Sequence, residues 1–292
     1  MGDQAEKLRA MAKDQQTQAV LRKRRLSRII VIASGKGGVG KTNLVVNLAI
    51  ALGQLGKKAI VLDTDLGMAN ADILMDLKPT YTLVDVIRGD KELEDIILKG
   101  PYNVDVIPGG SGLSDMISLD SQQREQLISR LSYLEEAGNV VLVDCPAGLT
   151  RDVLSFIAVA DDLLLLTTPE PTAITDVYGM IKVVDSYQLH SSIKLAINMV
   201  RNQREGENVF RRINYVCQHF LTTEVDFLGS IEYDQNVRKA VLTCSPYVLQ
   251  FPRSRATQGT QQIARRISQE DDLYRGDETG KGFLNRLLNF WS

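Results

Sequence analysis

The chain is poor in the residues that most often announce chemistry. Its 292 residues include only two histidines, His190 and His219, and three cysteines, Cys145, Cys217 and Cys244. The histidines stand alone, with no nucleophile or ligand partner at a readable spacing, and are expected at the surface or in packing. The cysteines are odd in number and far apart, which excludes a readable disulfide framework or C-x-x-C metal pair and points to a reducing cytoplasm. No apolar run reaches the roughly 18 residues needed to cross a bilayer, and the polar, charged opening is unlike a secretory signal. Neither sign of charge dominates, since the net charge is −2. Its distribution is uneven, however. Residues 1–28 hold eight Lys or Arg against three Asp or Glu, which leaves −7 for the remainder. That segment reads as a separate interaction arm.

The rest of the chain has the 44% hydrophobic content of an ordinary globular protein and enough length for a substantial core. Apolar runs "RIIVIAS" (28–34), "KAIVLDTD" (58–65), "VDVIPGG" (104–110), "NVVLVDCPAG" (139–148), "DDLLLLTTPEP" (161–171) and "SIKLAINMV" (192–200) read as strands. Between them lie helical stretches, among them 42–56, closed by Gly56, and 121–138. Near-continuous apolar strands alternating with helices predict an α/β fold, a single-domain, mostly parallel twisted sheet with helices on both faces. The expected organisation is an arm over 1–28, one domain over 29–270, a linker over 271–280 and a C-terminal helix over 281–292.

The strongest local motif is "GKGGVGKT" (35–42), which fits G-x-x-x-x-G-K-[ST] through Gly35, Gly40, Lys41 and Thr42, after a strand and before a helix. Such a loop turns successive backbone N–H groups toward phosphate oxygens, and the helix N-terminus adds its positive end. Lys41 is expected to bridge the terminal phosphates, and the Thr42 hydroxyl to ligate Mg²⁺. Carboxylates at strand ends complete the requirement: Asp144 as the strand-borne metal aspartate, with Asp63 and Asp65 for the metal shell and the attacking water. Read as packing alone, Asp63 or Asp65 caps the following turn.

"SGKGGVGKT", "VLDTDLGMANAD" (61–72) and "LVDCPAG" (142–148) together resemble the deviant Walker A, switch I and switch II of the MinD/ParA ATPases, members of the SIMIBI class of P-loop NTPases. The resemblance spans roughly 28–270. It implies ATP and Mg²⁺ as cofactors, with the loop Gly35, Lys36, Gly37, Gly38, Val39, Gly40, Lys41, Thr42 and Asn43 holding nucleotide. Asn43 departs from the second threonine usual in the family, and its amide can still donate a hydrogen bond. The extra lysine, Lys36, corresponds to the signature lysine that reaches the partner's nucleotide in an ATP-bound homodimer. A cation supplied in trans neutralises charge on the transferred phosphoryl group and makes dimerisation depend on the γ-phosphate. Asp65 corresponds to the water-positioning aspartate, Asn198 to the adenine-contacting asparagine, and "GSIEYDQNVRKA" (229–240) to a second base-contacting loop. Glu170 and Asp176 resemble MinD's dimer and partner-binding surface, and Cys145 is a small buried filler of switch II.

The two ends carry further patterns. At about 100° per residue, Phe283, Leu284, Leu287, Leu288, Phe290 and Trp291 fall within an arc of roughly 160°. Lys281, Asn285, Arg286 and Asn289 fill the remainder, as in an interfacial helix on anionic lipid. The bland alternative is a terminal helix packed on its own core. "DQAEKLR" (3–9) resembles the DQAxxLR motif of the FlhG (YlxH) family, the flagellar relatives of MinD. The resemblance implies that Asp3, Gln4, Ala5, Leu8 and Arg9 engage an FlhF-like SRP-type GTPase and stimulate it, with Gln4 the critical side chain. The cluster Arg22, Lys23, Arg24, Arg25 suits lipid, nucleic acid or an acidic partner, and the sequence does not choose. For the whole chain, flagellar switch (C-ring) components and the inner face of the membrane are expected partners, and nucleic acid is not. The expected function is ATP-dependent regulation of flagellar number, placement and assembly. The alternatives are a division-site MinD, a ParA-type partition ATPase, or a nucleotide-bound adaptor that does not hydrolyse.

Overall fold

The computed structural model describes residues 27–64, 70–110, 134 and 140–273. Expectations placed on the arm (Asp3, Gln4, Ala5, Leu8, Arg9 and the 22–25 cluster), on Asp65, on most of helix 121–138 and on the tail 281–292 lie outside the described residues.

The first strand, β1 (Arg28–Ala33), is buried at every position. Ile29, Val31 and Ala33 join the core on one face of the sheet, and Ile30 and Ile32 the core on the other. A strand covered on both faces has no polar alternation, which is why its sequence is one apolar run. The next helix, α1 (Lys41–Gln54), is buried from Leu44 through Leu52 because it lies between the sheet and the last helix. It ends where Gly56 takes a φ of 83°, the left-handed conformation a side chain would resist.

The chain continues through β2 (Ala59–Asp63) and three short helices, α2 (Ala71–Leu74), α3 (Leu83–Arg88) and α4 (Leu93–Ile96). Strands β3 (Leu98–Lys99), β4 (Val104–Ile107) and β5 (Val140–Asp144) follow, then α5 (Arg151–Val159) and β6 (Asp162–Thr167). Helix α6 (Pro171–Ser186), β7 (Ser192–Val200), α7 (Gln203–Phe220) and β8 (Glu224–Glu232) precede α8 (Gln235–Leu242), α9 (Tyr247–Gln250) and α10 (Arg255–Leu273).

The eight strands lie in the order β3-β4-β2-β5-β1-β6-β7-β8. Every pairing is parallel except β3 with β4. Helices α3 to α7 pack one face around Val31, Leu165 and Ile181, while α1, α2 and α8 to α10 pack the other around Ile32, Leu48 and Ile263. Strand β1 is central, with β5 on one side and β6 on the other, so the loop after it opens at the C-terminal edge where connections diverge. Ligands of open α/β sheets bind there.

Strand ends fall earlier than the apolar runs suggest: β2 stops at Asp63, β4 at Ile107 and β6 at Thr167. Residues 229–240 are not one loop. Residues 229–232 finish β8, which bends at Gly229 (φ 152°), and 235–242 form α8. Alternating exposure along β8, an edge strand, hid it among polar letters. Arg28, placed with the arm by charge counting, is the first residue of β1. Among the described residues, no helix is long and apolar enough to cross a membrane.

Candidate functional site

The loop between β1 and α1 forms a cradle at the C-terminal edge of the sheet. Gly38 and Gly40 have φ of 81° and 89°, and a Cβ on Gly37 or Gly38 would meet nothing within 4 Å. The backbone is thus open on the side where a ligand would approach. Gly35 faces the opposite constraint, since a Cβ there would come within 2.6 Å of the Asp176 backbone on α6. Gly40 is the N-cap of α1, and no side chain caps the helix. The first-turn N–H groups of α1 therefore carry the positive end of the helix to the cradle. A cavity of about 420 Å³ lies over the loop from Lys36 to Asn43, bordered also by Asn70, Ala147 and Val241.

The two lysines of the loop occupy different surroundings. Lys41 is 7% exposed at the cradle floor and pairs at 2.5 Å with Oδ1 of Asp144, which is fully buried. Asp144 ends β5 directly beside β1 and lies in register with Asp63 on β2, so both carboxylates arrive at the same edge. Asp63 Oδ2 accepts hydrogen bonds from the N–H groups of Asn70 and Ala71 at 3.0 and 3.2 Å. That is the turn-capping arrangement, made at the start of α2. Lys36 is 42% exposed and turns outward, with Nζ at 3.2 Å from Glu170 Oε2 and 3.0 Å from Thr172 Oγ1, at the start of α6. An ion pair this exposed contributes about 0–1 kcal/mol. Lys36 is held weakly enough to be surrendered to a stronger anion.

The segment after Asp144 is fastened to the loop's entrance. Cys145 N–H donates to the Ile32 carbonyl at 3.2 Å, Gly148 N–H to Ser34 at 2.9 Å, and Thr64 donates its N–H and hydroxyl to the Asp144 carbonyl at 2.9 and 2.8 Å. Burial pushes the Cys145 thiol up to about 12, partly offset by the Lys41 charge, so it is an inert filler. Asn198, near the end of β7 rather than after it, donates Nδ2 to the Val39 carbonyl at 2.8 Å and accepts the Met199 N–H at 2.9 Å. Here it braces the loop from the side.

Sequence reading brings together Lys36, Lys41, Thr42, Asn43, Asp63, Asp144 and Asn198, and the structure places all of them at this edge. It missed Asn47, 1% exposed, which donates to the Asn43 carbonyl at 2.8 Å and accepts the Val248 N–H at 3.0 Å. Its only signal was a polar letter inside an apolar helix. Thr172 and Val241 were also missed, because each reaches the loop from a distant element. His190 and His219 lie away from the site, on the Ile157 and Tyr215 carbonyls, and among the described residues no metal cluster of His, Cys, Asp and Glu occurs.

The residues fit a magnesium-bound nucleoside phosphate. Open glycines and first-turn N–H groups suit phosphate oxygens, Lys41 suits the terminal phosphates, and the Thr42 hydroxyl with Asp144 is an all-oxygen donor set of the kind Mg²⁺ takes. Comparison with known proteins gives the same reading. The family described as "AAA domain" matches residues 27–197. Antiactivator FleN of Pseudomonas aeruginosa is 40% identical over 82% of this chain and 85% of its own length. The flagellum site-determining protein YlxH of Helicobacter pylori is 30% identical over 90% of each chain. Among solved structures, the septum site-determining protein MinD of Pyrococcus horikoshii, complexed with Mg-ADP, aligns with a TM-score of 0.68 and 28% identity, over 85% of this chain and 98% of that one. With its glycine cradle, paired loop lysines and central parallel sheet, the chain belongs to the MinD/ParA family of P-loop ATPases, alongside the antiactivator FleN and the flagellum site-determining protein YlxH.

Proposed function

We propose that the chain is an ATP-dependent, dimerising, membrane-associating regulator of flagellar placement and assembly. The observation that carries it is the division of labour between the two loop lysines. Lys41 is buried on Asp144 within its own site, while the Lys36 ammonium is exposed and held only by a weak surface pair. With Mg-ATP bound, Lys41 would exchange Asp144 for the phosphates, and Thr42 and Asp144, with Asp63 nearby, would hold the metal. The metal supplies charge neutralisation at the phosphates. Lys36 leaves Glu170 for the γ-phosphate in a second copy of the chain, and Asp65 orients the attacking water. Asn198 turns to the base, and hydrolysis removes the anion on which the dimer depends.

The ends supply partners. The helix over 281–292 binds anionic lipid weakly as one copy and firmly as two. The motif at 3–9 stimulates an FlhF-like SRP-type GTPase through Gln4, and switch components of the flagellar base are the cargo. The 30% identity to the flagellum site-determining protein YlxH supports the flagellar role, and since the septum site-determining protein MinD of Bacillus subtilis is itself 31% identical, it is the motif at 3–9 that favours this role over division-site selection. Adding the full chain to an FlhF-type GTPase should raise its GTP turnover, and the Gln4→Ala chain should not. Absence of stimulation by the unaltered chain removes the GTPase-activator role. Hydrolysis of ATP with membrane present should fall on Asp65→Ala; equal rates would favour the non-hydrolysing adaptor.

A further inference from the structure

Strands β2 and β5 end together at the cradle edge of the sheet, with Asp63 in register with Asp144. One residue further on, Thr64 is 3% exposed. It gives both of its donors to one acceptor. Its N–H reaches the Asp144 carbonyl at 2.9 Å, as a continued ladder would, and its hydroxyl reaches the same oxygen at 2.8 Å. On the other side of β5 the next N–H, that of Cys145, donates to the Ile32 carbonyl of β1 at 3.2 Å. The peptide joining Asp144 to Cys145 is therefore held from β2 through its oxygen and from β1 through its nitrogen. Both of these residues are fully buried.

The hydroxyl bond is not needed to satisfy a buried acceptor. The Asp144 carbonyl already has the Thr64 N–H, and one partner meets the requirement of a buried carbonyl. What the second donor adds is position. The last bond of a ladder has no further bond beyond it to stop it opening, and here both strands stop. A carbonyl has two lone pairs, and occupying both fixes the direction of the peptide as well as its distance. A β-branched side chain has few χ1 choices, so threonine brings its hydroxyl to this place at small entropic cost. The residue held in this way carries the carboxylate whose Oδ1 lies 2.5 Å from Lys41 Nζ. With its main chain fixed, that carboxylate changes partner only by turning about its own side-chain bonds.

We propose that Thr64 is the positioning residue for Asp144. Its hydroxyl fixes the main chain from which the carboxylate is offered, to Lys41 in the empty cradle and to magnesium when nucleotide is bound. The inference rests on the reading of the cradle as a site for a magnesium-bound nucleotide. It assigns Thr64 no contact with nucleotide or metal, and Thr64 is not among the described residues that border the cavity. A change at Thr64 therefore leaves the phosphate-binding groups of the loop in place, and its effect passes through Asp144.

The test is calorimetric titration of ADP into the full chain, once with Mg²⁺ and once with a chelator in its place. The unaltered chain is compared with Thr64→Val, which keeps the shape and the N–H but lacks the hydroxyl, and with Thr64→Ser, which keeps the hydroxyl but lacks the methyl. Thr64→Val should bind ADP about three- to tenfold more weakly with Mg²⁺, the worth of one hydrogen bond. Without Mg²⁺ it should bind within about twofold of the unaltered chain, and its nucleotide-free unfolding midpoint should move by less than about 4 °C. Thr64→Ser should restore binding with Mg²⁺ to within about twofold, although the lost methyl makes it the less stable of the two variants. The assignment is overturned if Thr64→Val binds with Mg²⁺ as the unaltered chain does, or if it weakens binding equally with and without the metal. It is overturned also if Thr64→Ser is no better than Thr64→Val. An unaltered chain whose ADP binding gains nothing from Mg²⁺ would remove the magnesium reading beneath it.

Discussion

Replacing Lys41 by Met should destabilise the nucleotide-free protein far more than replacing Lys36 by Met, although both lysines sit in one eight-residue loop. The change keeps the aliphatic stem and removes the charge. At position 41 it leaves the fully buried Asp144 without its cation, because that pair is 7% and 0% exposed. Removing one partner of a buried pair costs about 3–5 kcal/mol. The Lys36–Glu170 pair is 42% and 65% exposed, and its loss costs about 0–1 kcal/mol. At about 2–4 °C per kcal/mol for a chain of this size, Lys41→Met should lower the midpoint by roughly 6–20 °C and Lys36→Met by at most about 4 °C. Circular dichroism melts without nucleotide read this directly. Adding Asp144→Asn to Lys41→Met should restore most of the loss, since no buried charge then lacks its counterion. Equal midpoints for the two single variants, or no recovery in the double variant, would refute the assignment of Lys41 as the internal counterion.

Four further outcomes are expected. Gly40→Ala combines a φ of 89° with a Cβ 2.5 Å from Asn198 Nδ2, so it should cost about 1–3 kcal/mol and weaken nucleotide binding by calorimetry. Asn47→Ala strands the Val248 N–H and should cost about 1–3 kcal/mol in urea melts, although it touches no ligand. Burial pushes Cys145 up to about 12 and Cys217 up to about 11, whereas Cys244 is half-buried, so alkylation near neutral pH should label Cys244 first. In the unfolded chain these thiols ionise from about pH 8.5. The folded state therefore binds more protons above that pH, and stability should fall as pH rises from there toward 11–12.

The cradle was legible because its determinants are local: eight consecutive residues specify the glycine turn, the helix start and the buried lysine. Asp144 was legible because an apolar run ends in a carboxylate. The contacts that give these residues their present state were not. Lys36 meets Glu170 across 134 positions and Asn198 meets Val39 across 159, distances set by strand order. No periodicity encodes that β5 inserts between β1 and β2 and brings Asp144 to Lys41. Edge strand β8 escaped for a different reason. Its exposed positions carry Glu224 and Asp226, so it lacks the apolar run that marked the covered strands. Asn47 escaped because burial of a polar side chain depends on the N–H that α9 brings to it.

The central claim is that ATP turns Lys36 from a weak internal contact into a bond between two copies of the chain. Light scattering after size exclusion, with Mg²⁺ and a non-hydrolysable ATP analogue or ADP, tests it most directly. The account predicts a dimer with the analogue, a monomer with ADP, and a Lys36→Ala chain that binds the analogue yet stays monomeric. A Lys36→Ala chain that dimerises as readily as the unaltered one would contradict it.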